Sequence, residues 1–414
     1  MQGDGGRPAG RGLGRRFWTV WAAGTVSFLG DGVSAGAVPL LTVSLTQDPR
    51  LVALVDACAA LGWLLLGLPS GVVVDRVDRL TLMWRVDVVR CAIAAGFAVL
   101  VLGGRVGLAM LLGVSLLLGL AAPFFDNAHS SVLPELVPGP ELERANSLTQ
   151  GSLLLSANLL GPPLGALSFV AASGAPFVAN AVSFALGAGL VATCVHRRRA
   201  GAARPATAGV RAQLREGLAY LAGHRVLRTL SLVIGVVNAV SGAIFAVLVL
   251  YVIDELGLPE AAYGAMVATF AVGGVVGSVV TPWAIRRFGP RACALAPLVG
   301  FGAAALTLAV AKSVVVVVLA SALAGGLSIL WNVVALSYRQ REVPGELLGR
   351  VTSVYRMVAF VGMPAGAVGA GVLAHAVGIR ATYAAGGMLL LLTALLSIAP
   401  LRHLPTRDAG AVPG

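Results

Sequence analysis

The sequence predicts an all-α membrane protein with twelve transmembrane helices in two six-helix halves of the same orientation. Three observations support this prediction. The composition is 57% hydrophobic and only 12% charged, with a mean hydropathy of +0.89, whereas a typical soluble domain is about 25% charged. Long apolar runs recur along the chain. The phrase VPGPELER at 137–144 returns as VPGELLGR at 343–350, after 206 residues, and a repeat at half the chain length indicates two copies of one unit.

A transmembrane helix needs about 20 mainly apolar residues, and twelve runs meet this requirement. In chain order these predicted spans cover 17–46, 51–74, 82–103, 106–133, 146–170, 176–195, 229–253, 260–284, 292–311, 313–337, 351–376 and 380–400. The longest polar interruption separates six spans from six. The predicted organisation is therefore an N-terminal tail, a first half, a central loop, a second half and a C-terminal tail, at 1–16, 17–195, 196–228, 229–400 and 401–414.

The distribution of arginine predicts the orientation in the membrane. With the N-terminus in the cytoplasm, the cytoplasmic segments hold 23 Arg, whereas the other side holds only Arg50, Arg105, Lys312 and Arg380. Positive residues concentrate in cytoplasmic loops, so both termini are predicted to be cytoplasmic. The basic, amphipathic segment 209–228 in the central loop suits a helix lying on the cytoplasmic membrane surface.

Composition also excludes several kinds of function. The net charge of +12 comes from Arg in the gaps between apolar runs, so orientation in a membrane explains it and no nucleic-acid partner is expected. The sequence contains no HExxH or Walker A motif, and its GxSxG match, GVSAG at 32–36, lies inside predicted span 1, so neither an enzyme nor an ATP-driven pump is predicted. We expect no cofactor and no metal, because the four cysteines lie in or beside apolar segments without a CxxC pair: Cys58, Cys91, Cys194 and Cys293.

The charged stretch after span 2 is the first family signature. GVVVDRVDRL at 71–80 resembles the loop motif of the major facilitator superfamily, Gly-x-x-x-Asp-Arg-x-Gly-Arg-Arg. Gly71, Asp75, Arg76 and Arg79 match, while Asp78 replaces a glycine and Leu80 replaces a basic residue. The Asp-Arg-x-Asp-Arg variant is similar to the drug-exporter branch that includes macrolide efflux and enterobactin exporter proteins.

Span 5 carries the second signature. In ANLLGPPLGAL at 157–167, Gly161, Pro162 and Gly165 match the core of the antiporter motif, Gly-x-x-x-Gly-Pro-x-x-Gly-Gly. Ala157 and Ala166 stand where glycines are usual. Pro162 frees a backbone carbonyl and kinks the helix, and the small residues allow close packing.

These resemblances imply the major facilitator fold and a secondary active transporter that works by alternating access. They also imply that Gly71, Asp75, Arg76 and Arg79 form a cytoplasmic latch between the two halves, with Asp75 facing the positive N-terminal end of span 11. The alternative interpretation is a solvated loop that only sets orientation. Spans 1, 4, 7 and 10 line the central cavity in this family.

Ionisable residues inside spans cost about 2.5–3.5 kcal/mol each and are functional candidates. Asp31 lies 14 residues into span 1, about 21 Å at 1.5 Å per residue. Asp126 lies seven residues before Leu133, in the cytoplasmic half of span 4. Both are predicted proton-coupling candidates, because burial favours the neutral form of a carboxyl group. The alternative is that Asp31 joins helices by hydrogen bonds, with Gly30 and Gly32 allowing close packing.

The repeat relates these acids to asparagines in the second half. Asp31 maps onto Asn238 and Asp126 onto Asn332 at spacings of 207 and 206. We expect the substrate cavity to be lined by Asn238, Asn332, Phe125, Asn127 and Trp331, where the aromatic residues either stack on substrate or pack in the core. Asp87 and Arg90 are three residues apart in span 3, which predicts a structural ion pair.

The predicted function is proton-coupled export of a small lipophilic or cationic organic compound, such as a drug or natural product. We expect a monomer in the cell membrane, with the substrate, protons and the lipid bilayer as its partners. A siderophore or metabolite exporter is an alternative, as is an importer, although the span 5 motif weighs against import. A membrane receptor or scaffold is the alternative from outside the transporter class.

Overall fold

The computed structural model describes residues 13–195, 210–402 and 404. Most of the two predicted tails and residues 196–209 of the predicted central loop lie outside the described residues. The described residues contain no strand, and two π-helical segments, Leu154–Leu160 and Tyr251–Glu255, and a short 3-10 helix, Gly139–Glu141, join fourteen α-helices. The α-helices are α1 (Gly14–Leu45), α2 (Pro49–Val74), α3 (Arg79–Leu102), α4 (Leu108–Leu136), α5 (Leu142–Leu153), α6 (Gly161–Ala171), α7 (Ala175–Ala192), α8 (Val210–Gly223), α9 (Arg225–Ala246), α10 (Leu248–Leu250), α11 (Ala261–Val310), α12 (Val314–Glu342), α13 (Gly345–Val377) and α14 (Ile379–Leu401).

Within the described ranges, ten helical segments are long and apolar enough to cross a membrane. They include every predicted span except the third, and α11 covers the eighth and ninth predicted spans together. The third predicted span is α3, whose 24 residues carry four charges, at Arg79, Arg85, Asp87 and Arg90. An all-helical membrane architecture is therefore confirmed.

Helix α11 folds back on itself at Gly289. This residue has φ of 80° and ψ of 161°, a conformation almost restricted to glycine. Gly277, before the break, lies against Gly326 of α12, and Gly300, after it, lies against the adjacent Leu327. In a straight helix Gly277 and Gly300 would be about 34 Å apart. The two parts of α11 therefore run side by side along α12, as the separate predicted spans at 260–284 and 292–311 require.

The helices pack in two groups that follow chain order. In the N-terminal group, α1–α7, the main contacts are α2 with α4, α3 with α7, and α1 with α6 and α7. In the C-terminal group, α9–α14, α11 packs on α12 and α14, and α9 packs on α13. Contacts between the groups are concentrated in two pairs, α2 with α13 and α6 with α11.

The two ends of the bundle differ in how the groups meet. At the end of the bundle where α1 meets α2 and α13 meets α14, one buried apolar cluster contains residues of both helix groups. Its members include Leu40, Val52, Tyr251, Leu308 and Tyr383. At the Arg-rich end, where α2 meets α3 and α12 meets α13, the described clusters belong to one group or the other. Apolar packing therefore closes the bundle at the end opposite the Arg-rich end, where α1 meets α2.

Candidate functional site

A cavity of about 720 Å³ lies between the two helix groups. Its wall is mostly apolar, and residues from both groups line it. The polar part of the wall consists of Asp31, Ser34, Asp56, Arg90, Ser115, Asn158, Asn180, Tyr263 and Ser328. The aromatic part also includes Trp63, Phe97, Phe177, Phe245 and Phe270. Such a large, mainly apolar cavity with few polar groups is typical of a small-molecule site.

Asp31 forms an ion pair on the cavity wall. Nη2 of Arg90 lies 2.6 Å from both carboxylate oxygens of Asp31. The Arg90 side chain is only 3% exposed, whereas that of Asp31 is 35% exposed and faces the cavity. A hydrogen-bonded charge pair of this kind is strong where water is scarce. The deepest acid predicted from the sequence is therefore paired, with a partner from α3.

Arg90 lies within a group of acids. Asp87 is fully buried, with Oδ1 3.7 Å from Arg90 Nη1, and it accepts a hydrogen bond of 3.1 Å from Ser27 Oγ. Asp126 of α4 follows Phe125, whose ring centre lies 5.6 Å from Arg90 Cζ. We call Asp31, Asp87, Arg90 and Asp126 the ionic cluster. It contains three acids and one base, and Arg90 forms ion pairs with two of the acids, Asp31 and Asp87.

Aromatic rings enclose the guanidinium of Arg90. Its Cζ lies 4.1 Å from the centre of the Phe184 ring and 5.6 Å from that of Phe125. Phe125 is fully buried and stacks on His129. Cation–π contacts stabilise a guanidinium that has left water. The structure thus places Phe125 behind the ionic cluster rather than on the cavity wall.

Glycines on α1 bring the elements of the site together. A Cβ on Gly32 would lie 2.7 Å from the Ala157 carbonyl oxygen, and one on Gly30 would overlap Ser183 of α7. At Gly187 of α7, a Cβ would lie 2.5 Å from Ser27 Oγ and 2.7 Å from Asp87 Oδ2. These contacts need glycine because the helix backbones approach closely. Asp31 is fixed between α6 and α7 by this packing.

The predicted antiporter-like motif lies where three helices cross. Gly161 packs against Gly32, the carbonyl of Pro162 packs against Gly36 of α1 and Gly264 of α11, and Gly165 packs against Val33. Immediately before it, the chain is π-helical over Leu154–Leu160, a form often found at functional sites. Pro162 lacks the N–H needed for the regular helix pattern. The prediction of a kink is thus refined to a π-helical segment, from which Leu154 and Asn158 face the cavity.

The predicted asparagines occupy different surroundings from those expected. Asn238 Nδ2 donates to the Ala359 carbonyl at 2.8 Å, which joins α9 to α13. Asn332 is exposed and donates to the Ser328 carbonyl of its own helix at 2.9 Å. Neither is among the residues that line the 720 Å³ cavity. Trp331 is 1% exposed and lies in the core of the C-terminal group.

A second cavity of about 300 Å³ lies between α2 and α13 near the Arg-rich end. Gly71, Asp75 and Asn127 line it from the N-terminal group. Gly349, Arg350, Ser353 and Arg356 line it from the first turns of α13. Asn127 also donates to Ser70 Oγ at 2.8 Å. Asp75 therefore lines the same cavity as the first turns of α13.

The other charges of the loop motif act inside the N-terminal group. Arg79 pairs with Glu135 at 2.6 Å and donates to the Ser131 carbonyl at 2.8 Å, which joins α3 to α4. Asp78 accepts from the Thr81 N–H at 2.7 Å and caps α3. The aspartate that departs from the family pattern thus has a local structural role. Arg76 is exposed.

The amphipathic segment predicted in the central loop is partly the helix α8. Glu216 of α8 pairs with Arg350, and Gly217 packs against the backbone of that arginine. Leu221 is buried with Val351 and Val354 of α13. Helix α8 therefore packs on the start of α13, beside the second cavity.

Charges also cluster at the opposite end of α2. Asp48 caps α2 through the Arg50 N–H at 2.9 Å and pairs with the Arg50 side chain at 2.7 Å. Hydrogen bonds from the side chain and then the backbone of Arg50 lower the pKa of Asp48 to about 2. Nδ1 of His375, on α13, lies 3.6 Å from Asp48 Oδ1. This contact links the two helix groups where the apolar packing closes the bundle.

Several residues of the site were not predicted from the sequence. Asp56 and Tyr263 face the cavity from α2 and α11, and Asn180 faces it from α7. The signal for Asp56 was present, because LVDACAALG places an acid inside predicted span 2. In the described part of the chain, no group of three or more His, Cys, Asp or Glu side chains is arranged to hold a metal ion.

Comparisons with known proteins agree with the geometry. A family described as transmembrane secretion effector, of the major facilitator class, matches residues 14–412. The chain is 27% identical over 395 residues to the multidrug efflux pump Tap of Mycobacterium tuberculosis, covering 92% of this chain and 91% of that protein. It is 21% identical to macrolide efflux protein A of Streptococcus pyogenes, covering 92% and 95% of the two chains. The crystal structure of the nucleoside transporter NupG superposes with a TM-score of 0.75 at 12% identity, covering 94% of this chain and all of that one.

Proposed function

Since the chain belongs to the transmembrane secretion effector family of the major facilitator superfamily, we propose that it exports small organic compounds across the cell membrane in exchange for protons. The observation that carries this proposal is the 720 Å³ cavity between the helix groups, with the Asp31–Arg90 pair on its wall. The similarity to two efflux proteins supports export over import.

The proposed topology has twelve spans in two parallel six-helix halves. Helix α3 supplies the third span, and the two parts of α11 supply the eighth and ninth. The Arg-rich end faces the cytoplasm under the positive-inside rule, so both termini are cytoplasmic. Parallel repeats about an axis along the membrane normal are the arrangement of major facilitator transporters.

In this orientation the described state faces inward. The apolar cluster that includes both groups lies at the extracytoplasmic end, so it separates the cavity from the outside. At the cytoplasmic end, the described apolar clusters do not cross between the groups. Substrate then reaches the cavity from the cytoplasm, as an exporter requires.

We assign proton coupling to the ionic cluster, with Asp31 as the group that takes up the proton. Protonation of Asp31 removes the negative charge that faces Arg90, so the guanidinium turns to Asp87 and Asp126. Loss of the proton restores the Asp31–Arg90 pair. A change in charge at this position biases the equilibrium between the two access states when their pairing energies differ. Asp126 then acts through Arg90 rather than as a separate acid on the wall.

The loop after α2 completes the proposed cycle. In the outward-facing state, Asp75 closes on the positive N-terminal end of α13. In the described state it already lines a cavity with Gly349, Arg350 and Arg356. Closing the latch then requires α13 to move toward α2 at this end.

Transport assays with the purified chain test the proposal. Compounds come from a growth-sensitivity panel in a host that lacks its own exporters, and uptake is measured in inverted vesicles with an imposed pH gradient. We expect gradient-dependent accumulation that a proton ionophore abolishes. Accumulation in right-side-out vesicles alone would identify an importer, and accumulation of no compound above that in empty vesicles would contradict the proposal.

A further inference from the structure

A second carboxylate lies on the cavity wall, outside the ionic cluster. Asp56 is on α2 and faces the same cavity as Asp31. The other three acids inside the N-terminal group lie around Arg90. In the described part of the chain, no hydrogen bond or ion pair involves the side chain of Asp56. This cavity acid therefore has no protein cation beside it.

An acid in this position needs a partner from outside the protein. A carboxylate inside a membrane protein is costly, and such acids usually pair or mark a ligand pathway. Asp31 is already neutralised by the two contacts from Arg90. Asp56 is thus the acid on this wall that remains available to a ligand.

The wall around the cavity suits an aromatic or lipophilic cation. Tyr263 of α11 lines the same cavity as Asp56, and Phe245 and Phe270 pack edge to face at 5.5 Å in the C-terminal group. Trp63 lies two turns from Asp56 on the same helix and also faces the cavity. Aromatic faces attract cations, and their area binds apolar groups.

We propose that Asp56 and the facing aromatic side chain of Tyr263 recognise the positively charged group of lipophilic organic cations. Asp56 comes from the N-terminal group and Tyr263 from the C-terminal group, so a bound cation contacts both. Recognition at Asp56 is distinct from proton coupling at Asp31. The inference rests on the proposed function and specifies the chemical class of its substrates.

Binding to the purified full-length chain tests this site directly. The probes are tetraphenylphosphonium, a permanent aromatic cation, and chloramphenicol, a neutral compound. Their dissociation constants are measured by equilibrium binding in lipid nanodiscs at constant pH. For Asp56→Asn we expect tetraphenylphosphonium to bind at least about tenfold more weakly, with chloramphenicol unchanged within about twofold. Asp56→Glu should retain cation binding within about threefold, and Tyr263→Phe should have a small effect because the ring remains.

Two controls separate this role from general effects. Asp254→Asn removes an exposed acid outside the cavity and should leave both dissociation constants unchanged. Ser278→Ala removes an exposed hydroxyl outside the cavity and should also leave cation binding unchanged. A thermal melt of each variant identifies any that fails to fold.

Four outcomes would overturn the inference. Asp56→Asn could bind the cation as the wild type does, or it could weaken the binding of both probes equally. Asp254→Asn could weaken cation binding as much as Asp56→Asn does, or the wild type could bind only the neutral probe. Vesicle uptake distinguishes this failure from failure of the proposed function. If the wild type accumulates neutral compounds but does not bind the cation, export stands and the cation site is wrong. If it binds the cation through Asp56 but transports nothing, the site stands and export is wrong.

Discussion

The two helix groups differ in how their buried polar and charged residues are paired. The N-terminal group holds three acids around one arginine, with Arg90 only 3% exposed. At the repeat-related positions the C-terminal group has Asn238 and Asn332, which bond to backbone carbonyls. Its buried Arg339 has no described acidic partner and lies 3.5 Å from the centre of the Tyr355 ring. Titratable chemistry is thus concentrated in one group, and the other contributes aromatic surface and helix packing.

Removing Arg90 should have the largest effect. Arg90→Leu leaves Asp31 and Asp87 without their cation, and loss of one partner from a buried charge pair costs about 3–5 kcal/mol. We expect a marked fall in the melting temperature and no proton-driven transport. The matched control is Arg85→Leu, which removes an exposed arginine from the same helix. Equal stability of the two variants would show that the ionic cluster is not a structural centre.

Neutralising the loop acid should have a large effect on transport and a small one on folding. Asp75 is exposed but faces the start of α13, so Asp75→Asn weakens the outward-facing state in particular. We expect slower transport, an unchanged melting temperature, and greater labelling from the cytoplasmic side of a cysteine introduced on the cavity wall at Ser34. The control Glu143→Gln neutralises an exposed acid in the first turn of α5, outside the loop motif. Full transport by Asp75→Asn would leave the loop with a role in orientation alone.

Substitution of Asn238 and Asn332 tests the role of the C-terminal group, which lacks acids at these positions. Asn238→Ala removes the hydrogen bond between α9 and α13, which is worth about 1 kcal/mol. Asn332→Ala removes a bond within one exposed turn and should change stability by less than about 0.5 kcal/mol, as surface substitutions do. Chemical denaturation of both variants provides the measurement. A loss of proton coupling in Asn238→Ala would contradict the assignment of coupling to the N-terminal group.

We expect the smallest effect on stability from substitution of Asp48, where the two helix groups meet. Because its pKa is lowered to about 2, its contribution to stability is fully present above its unfolded pKa of about 3.9. That contribution is lost as the pH falls from about 4 through 2. The difference in melting temperature between wild type and Asp48→Asn should therefore be small and constant from pH 8 to pH 5. A change near neutral pH would indicate that His375, which faces Asp48, controls the contact.

The sequence was a better guide to the depth of residues than to their neighbours. Counting residues along span 1 correctly placed Asp31 within a helix, and the break between spans 8 and 9 was found at Gly289. Arg90 is 59 residues from Asp31, and their pairing depends on how α3 is rotated against α1. That rotation depends on close contacts such as those of Gly187 on α7 with Ser27 of α1 and Asp87 of α3, which no periodic pattern along one helix reveals.

The repeat has a similar limit. A spacing of 206 or 207 identified the helices that carry Asn238 and Asn332. It did not specify which way each side chain points, and Asn238 points at α13. Asn158 lies within the π-helical segment before Pro162 and lines the cavity. A regular helical period does not predict the direction of a side chain in such a segment.

Asp31→Asn tests the central claim, that the ionic cluster couples transport to protons, most directly. Proton-driven uptake into inverted proteoliposomes is compared with exchange of labelled for unlabelled substrate in the absence of a pH gradient. Ser34→Ala, on the same helix and cavity wall, is the matched control. We expect Asp31→Asn to lose proton-driven accumulation and to retain exchange, because the substrate site persists while the titrating group is gone. Full proton-driven accumulation by Asp31→Asn would contradict it.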